Sequence, residues 1–221
     1  MGVLRVIKIV STDFNGYFFK ALRIGRLWLI RSYGNFTSKT ALFLKKVKFK
    51  RGCNFFGKAY FYRFPTASIT IGENCTFRST DISNLIGVNR RCIISALYKN
   101  STIRIGDNCG FSGVTIGALK EITIGKDLIC GANVIISDYD WHNADPARRF
   151  EMCMDAKPVI IHDNVFIGVN SIIWKGVTIG ENSVIGANSV VTKSIPPNVF
   201  AAGNPCKIIR EITPSTRPIN A

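Results

Sequence analysis

Ile161, Ile167, Ile173, Ile179, Ile185 and Val191 fall at unbroken intervals of six residues, and this spacing constrains the fold more than any other property of the chain. Four residues after each comes a small or β-branched side chain, in turn Val165, Ser171, Val177, Ser183, Ser189 and Ile195, and Gly follows the aliphatic at Gly168, Gly180 and Gly186. A period of six fits neither the helical period of about 3.6 nor the alternation of a sheet strand. A short strand followed by a tight turn does fit it. Three such units close a triangular coil in which the aliphatic points inward, while Gly or Asn beside the turn accepts backbone angles that other side chains resist. Stacked coils then bury a ladder of Ile.

The frame recurs upstream at Ile71 with Cys75 and Phe77, at Ile105 with Cys109 and Phe111, and at Ile124 with Cys130, Val134 and Ile136. It slips by one residue between 105 and 124 and is ragged from 80 to 100, so about five coils are predicted. Between Ile136 and Ile161 about seven residues exceed what one coil needs, and they must leave the prism as a loop from Ser137 to Pro158. That stretch is polar, rich in Asp and Pro-bearing, as a projecting loop should be. The expected fold class is all-β: a left-handed parallel β-helix over residues 61–205 with the projecting loop at 137–158. A basic, aromatic segment (1–60) precedes it, where Phe19, Leu22, Leu29 and Ile30 match helical spacing and predict one or two short helices. A carboxy-terminal segment and loose tail (206–221) follow.

Charge and cysteines narrow the function classes. The chain carries 29 Lys and Arg against 14 Asp and Glu, and residues 1–50 hold eleven of the bases with Asp13 the lone acid there. Such a surplus attracts a polyanion: nucleic acid, acidic lipid or a phosphorylated small molecule. No nucleic-acid module is recognisable, which argues against the first. Seven cysteines without a CxxC pair offer no zinc spacing and read as reduced core thiols, which favours the cytoplasm. Arg5 and Lys8 break the first apolar stretch, so no signal peptide is expected, and no apolar run reaches the roughly 20 residues of a spanning helix.

His142, one of two histidines, sits in the projecting loop. An imidazole titrates close to neutral pH and can take a proton from a hydroxyl, so His142 is the candidate general base; the alternative is an ordinary surface histidine. Asp138, Asp140 and Asp145 are close enough in sequence to orient the ring, and sequence does not rank them. Trp141 can stack on a sugar ring or simply pack the loop. His162 occupies a slot usually given to Gly and is read as structural.

The run from His142 to Arg149 (HNADPARR), together with Gly176–Ile212 (GVTIGENSVIGANSVVTKSIPPNVFAAGNPCKIIREI), resembles the galactoside and maltose O-acetyltransferases of the hexapeptide-repeat acyltransferase superfamily. The similarity is close over 103–212 and loose over 69–102. The resemblance implies a homotrimer, acetyl-CoA in a groove between neighbouring prisms, no metal, and a catalytic histidine matching His142. It also implies CoA contacts at Val169, Ala187, Thr192, Lys193, Lys207 and Arg210. Lys193, Lys207 and Arg210 can neutralise CoA phosphates, or they are ordinary solvated charges.

Two departures point to a different acceptor. Where those sugar enzymes hold the acceptor with an Asn, the matching stretch is Gly110, Phe111, Ser112, Gly113, with Ser112 its only side-chain hydrogen-bonder. Residues 1–50 also differ from the family's amino-terminal helices. A surface-polysaccharide precursor, carried on lipid or free, fits these departures, and the basic amino terminus suits either the anionic cytoplasmic face of a membrane or packing on the trimer. The rivals are N-acetylation of a nucleotide amino sugar, O-acetylation of an antibiotic, and a noncatalytic scaffold. A zinc carbonic anhydrase on the same fold needs three His ligands, which two histidines do not supply.

Overall fold

The computed structural model describes residues 13–151 and 154–213. Arg5, Lys8 and Cys153, along with the tail after residue 213, lie outside the described residues.

Three parallel sheets of six, eight and six strands form the faces of a triangular prism, the left-handed parallel β-helix expected from the repeat. The chain visits the faces in fixed rotation: Lys48–Phe49 in the first, Asn54–Phe56 in the second, Tyr60–Arg63 in the third, then Ser68–Ile71 in the first again. Six such coils end at Val190–Val191, one more than the repeat predicts. The extra coil lies at the start, because the prism begins at Lys48 and not at 61; its six-residue frame is carried by Phe49, Phe55 and Phe61 in place of Ile. The ragged stretch has a physical cause too. Residues 79–92 leave the second coil as a loop with a 3-10 turn at Asp81–Ser83. The one-residue slip lies in the chain between the strands Thr102–Ile105 and Glu121–Ile124, which pair in register, and a further register shift falls between Ile129–Ala132 and Gly110–Ser112.

Corners decide how tightly the coils stack. Asn74, Asn108, Asp127, Asn164, Asn182 and Asn198 hold one column of turns at φ between 55° and 59°, the left-handed region that Asn tolerates. Their side chains join coil to coil: the Asn164 amide donates to Asn182 (2.9 Å), and Asn182 to Asn198 (3.0 Å). Inside, Phe55, Phe77 and Phe111 stack with centroids 5.0 and 5.1 Å apart, and further along the prism Ile167 and Ile185 continue the second face's interior. Cys53, Cys75, Cys92, Cys109 and Cys130 are all buried. Burial raises the thiol pKa of Cys92 and Cys130, which keeps these groups protonated.

The amino-terminal segment is one continuous helix, α1 (Phe14–Leu44), in place of one or two short ones. No Pro interrupts 14–44, and Asp13 caps its start by accepting from the Gly16 N–H (2.9 Å). Only Gly34, Ser38 and Leu42 are buried, a stripe with helical spacing of four. They seal the open end of the first coil. The Phe55 N–H donates to Asn35 Oδ1 (2.9 Å), and the Ala59 N–H to Ser38 Oγ (3.1 Å). A Cβ at Gly34 would lie 2.3 Å from the Phe55 carbonyl oxygen, so the closeness of this approach requires glycine. The apolar residues whose spacing suggested a helix do not face the prism: Phe19, Leu22 and Leu29 are exposed, as are Phe18 and Trp28.

Candidate active site

The projecting loop leaves after the strand Ile135–Ser137 and returns at Val159–Ile161, as the spacing predicts. Its neck is bolted to the prism. Asp138 is fully buried and accepts three backbone N–H groups, from Leu119 (2.8 Å), Lys120 (2.7 Å) and Glu121 (2.6 Å), which pins the turn below it. Burial pushes its carboxyl up, and these three donors pull the other way. Tyr139 bridges antiparallel to Ala156, and the Lys157 N–H donates to the Asp138 carbonyl (2.8 Å). Lys175, from the next coil, reaches both sides of the neck: Asp140 at 2.5 Å and Asp155 at 2.7 Å.

Beyond the neck the loop is exposed. Asp145 caps the 3-10 turn Pro146–Arg148 by accepting from the Ala147 N–H (3.0 Å), and Arg148 pairs with Glu151 (2.8 Å). All three carboxylates that sequence proximity offers to His142 are therefore engaged elsewhere: Asp138 with backbone, Asp140 with Lys175, Asp145 with its own turn. None hydrogen-bonds the ring. His142 is exposed and makes no hydrogen bond or ion pair among the described residues. Trp141 beside it is 55% exposed, and its ring lies 4.9 Å from that of Tyr139. Both rings approach the Cβ-less face of Gly117, where an added Cβ would meet each at 3.7 Å. Trp141 thus packs the loop root and still offers ring surface to solvent.

The residues matched to CoA contacts separate into groups. Val169 and Ala187 stack one coil apart at one corner, where the Asn188 N–H donates to the Val169 carbonyl (2.8 Å). The next level of that corner is the turn at Gly203–Cys206, linked to Val190 by hydrogen bonds of 3.0 and 2.9 Å, and Lys207 follows it directly. Lys207 and Arg210 lie on the closing strand Lys207–Glu211, antiparallel to Val199–Ala202, with Arg210 over the Phe200 ring at 5.6 Å. Thr192 and Lys193 are exposed at the far end of the strand Val190–Val191, away from that corner.

Ser112 is buried, and its hydroxyl accepts from the Asn84 amide (3.1 Å). It shares a cleft on the second face with Val169, Arg78, Asn84 and Gly131. His142 does not line this cleft. His162 is exposed and borders a separate hollow with Thr178, Glu181 and Ser194. Sequence reasoning missed Lys175, Asn84 and Arg78. A lysine in the apolar repeat, at the start of Lys175–Gly176, was the available signal for the first; the other two lie in or beside the ragged stretch, which offered none.

Residues 158–193 match the family model described as hexapeptide repeat of succinyl-transferase. The galactoside O-acetyltransferase of Escherichia coli (strain K12) is 46% identical over 114 residues, 51% of this chain and 55% of that enzyme. A solved galactoside acetyltransferase in complex with coenzyme A superposes with a TM-score of 0.50 at 31% identity, covering 79% of this chain and 70% of that one. The chain belongs to the hexapeptide-repeat acetyltransferases. A second family member of known structure, from Vibrio cholerae O1 biovar eltor and complexed with acetyl coenzyme A, covers 91% of this chain with a TM-score of 0.51 at 26% identity. The chain spans about half the length of the Escherichia coli family member. No group of His, Cys, Asp and Glu suited to a metal ion occurs among the described residues.

Proposed function

We propose that the chain transfers an acetyl group from acetyl-CoA to a sugar hydroxyl, with His142 as general base. The observation that carries this reading is the loop neck: Asp138 and Lys175 fix both ends of the loop, yet the one imidazole beyond it has no partner among the described residues. A base must be carried near its substrate and also be available; the braced neck supports the first and the exposed imidazole the second. In the step itself the sugar oxygen attacks the thioester carbonyl, His142 takes the hydroxyl proton, the C–S bond breaks, and the proton passes to the departing CoA sulfur. Transfer is direct, and no nucleophilic Ser or Cys is needed.

The donor lies along the corner of Val169 and Ala187 with its phosphates toward Lys207 and Arg210, and Thr192 and Lys193, which lie away from that corner, meet the donor from a neighbouring copy. Because His142 does not line the cleft of Ser112 and Val169, the site is completed between copies of the chain, as a homotrimer of side-by-side prisms provides. The acceptor is a polysaccharide sugar or its precursor. The exposed Phe18, Phe19, Leu22, Trp28 and Leu29 with Lys20, Arg23, Arg26 and Arg31 bring α1 to an anionic membrane face. No helix of the described residues is long and apolar enough to cross a membrane.

Release of free CoA in the presence of a panel of sugar acceptors tests the reading. The wild type turns over, and His142→Ala lowers kcat by about 10²–10⁴-fold with acetyl-CoA binding kept. Full turnover in His142→Ala, or a stable acetyl-enzyme formed from acetyl-CoA alone, overturns it.

A further inference from the structure

Three adjoining hollows run from α1 to the face of the prism. The first is an apolar groove of about 920 Å³, walled by Phe18, Phe19, Leu22 and Leu29 of the helix and by Ile82 and Leu85 of the 79–92 loop. Arg23 and Leu85 line it and also line a second hollow, which reaches Arg78, Ser83 and Asn84. Arg78 and Asn84 in turn border the cleft of Ser112 and Val169. The chemistry along this path changes in order: apolar, cationic, hydrogen-bonding.

The cationic middle has no internal counter-charge. Neither Arg23 nor Arg78 forms a salt bridge among the described residues. No Asp or Glu occurs between Phe14 and Gly72, and Asp81, the acid nearest in sequence to Arg78, bonds the N–H of its neighbour Ile82 (2.8 Å). Arg78 is held in place by the Ser83 carbonyl (2.5 Å) and by the Phe56 ring 4.5 Å away. Arg23 and Arg78 line one hollow with no acid lining it, and burial, then the charge of Arg23, lower the proton affinity of Arg78. Guanidinium pairs in that state bind phosphate.

We infer that this path binds a lipid-linked sugar phosphate as the acceptor: its hydrocarbon chain along α1, its phosphate or diphosphate between Arg23 and Arg78, and its sugar against Asn84 and Ser112. The inference rests on the acetyl-transfer reading and narrows its acceptor class. A bare membrane surface would account for the exposed helix, but not for a cationic hollow that continues into the cleft. The Asn84 amide, already donating to Ser112, fixes the polar edge that the sugar meets.

The test uses the full chain and neutral phosphatidylcholine vesicles doped with a few per cent of a long-chain prenyl phosphate, the matching prenyl alcohol, or phosphatidylglycerol at equal charge. Prenyl phosphate is expected to hold the protein about tenfold more tightly than either control, and Arg78→Gln or Arg23→Gln to remove about that factor, the order of one charge-assisted contact. Arg78→Lys keeps the charge and is expected to retain part of the preference, which separates a binding role from a folding one. Equal retention by prenyl phosphate and phosphatidylglycerol, or a preference unchanged in Arg78→Gln, overturns the inference. Acetyl-CoA binding measured in the same samples tells the two readings apart: if it is present while the lipid preference is absent, only this inference fails; if it is absent, the acetyl-transfer reading fails as well.

Discussion

Coils one and two of the prism and coils five and six share a geometry and differ in what fills it. In the later pair the inward positions are Ile or Val with fully buried Ser171, Ser183 and Ser189 in the small slots, strands are two or three residues long, and Gly or Asn turns most corners. In the earlier pair the interior is Phe55, Phe61 and Phe77 with Cys53, Cys75 and Cys92, most strands are three or four residues long, and a loop and a helix are attached. A coil fixes how many residues a side can hold and which of them point inward; it does not fix their type, provided neighbouring coils match in size. Hence the later coils are a uniform stack, while the earlier ones are an aromatic stack that tolerates insertions. The family model matches the uniform half, and the path from α1 to Ser112 lies on the irregular half. On the proposed reading, the uniform half serves the donor and the irregular half the acceptor.

Truncating Phe77→Ala is the severest way to break that contrast. It removes the middle ring of a three-ring stack and is expected to cost about 3–5 kcal/mol, whereas Ile185→Val in the uniform half should cost about 0.5–1.5 kcal/mol. Urea unfolding measures both; equal losses would mean that the two halves are packed alike.

The loop neck sharpens the contrast from the functional side. Lys175→Met leaves the interior intact and frees both Asp140 and Asp155, so turnover should fall about tenfold through loss of positioning, while the unfolding midpoint moves little. The same neck responds to pH. The Lys175 hydrogen bond holds the Asp155 carboxyl below its usual range; that contribution is present above the ordinary carboxylate value of about 4 and is lost as pH falls through the depressed one. Burial works against the Lys175 ammonium, yet Asp140 and Asp155 outweigh it and raise its pKa, so the bridge persists below the ordinary lysine value of about 10.4 and opens as pH rises through the raised one. Protection factors of the neck amides of Ala156 and Lys157 should stay constant between those limits and fall outside them.

The smallest effect belongs to the donor end. Lys207→Gln and Arg210→Gln remove exposed charges, so each should raise KM for acetyl-CoA by only about threefold and leave kcat unchanged. An unaltered KM would place the CoA phosphates elsewhere.

The uniform half was readable because its period is carried by single residues: Ile161 through Val191 mark each side of each coil. The loop was readable by arithmetic, from residues in excess of a coil. The first coil was not, since it carries the six-residue spacing on Phe49, Phe55 and Phe61 where the later coils mark it with Ile, and a sheet face recognises burial before it recognises type. Helical spacing of Phe19, Leu22 and Leu29 gave the right element with the wrong facing, because the stripe that docks is the small, polar Gly34–Ser38. His142 was singled out from its loop, and the structure leaves it exposed there. Its expected Asp partner was not found there, because short sequence distance does not tell an orienting carboxylate from one that braces backbone, and Asp138 braces backbone.

The two ends of the prism are plugged by unlike devices. At the start, Asn35 and Ser38 of α1 occupy N–H groups that an incoming strand would seek; at the finish, the antiparallel strand Lys207–Glu211 reverses direction and carries Lys207 and Arg210 on its free edge. A column of parallel rungs left open would be a template for another column, and the route to a fibre. A helix as lid and a charged, backward-running rung at the far end both disfavour end-to-end stacking of such rods.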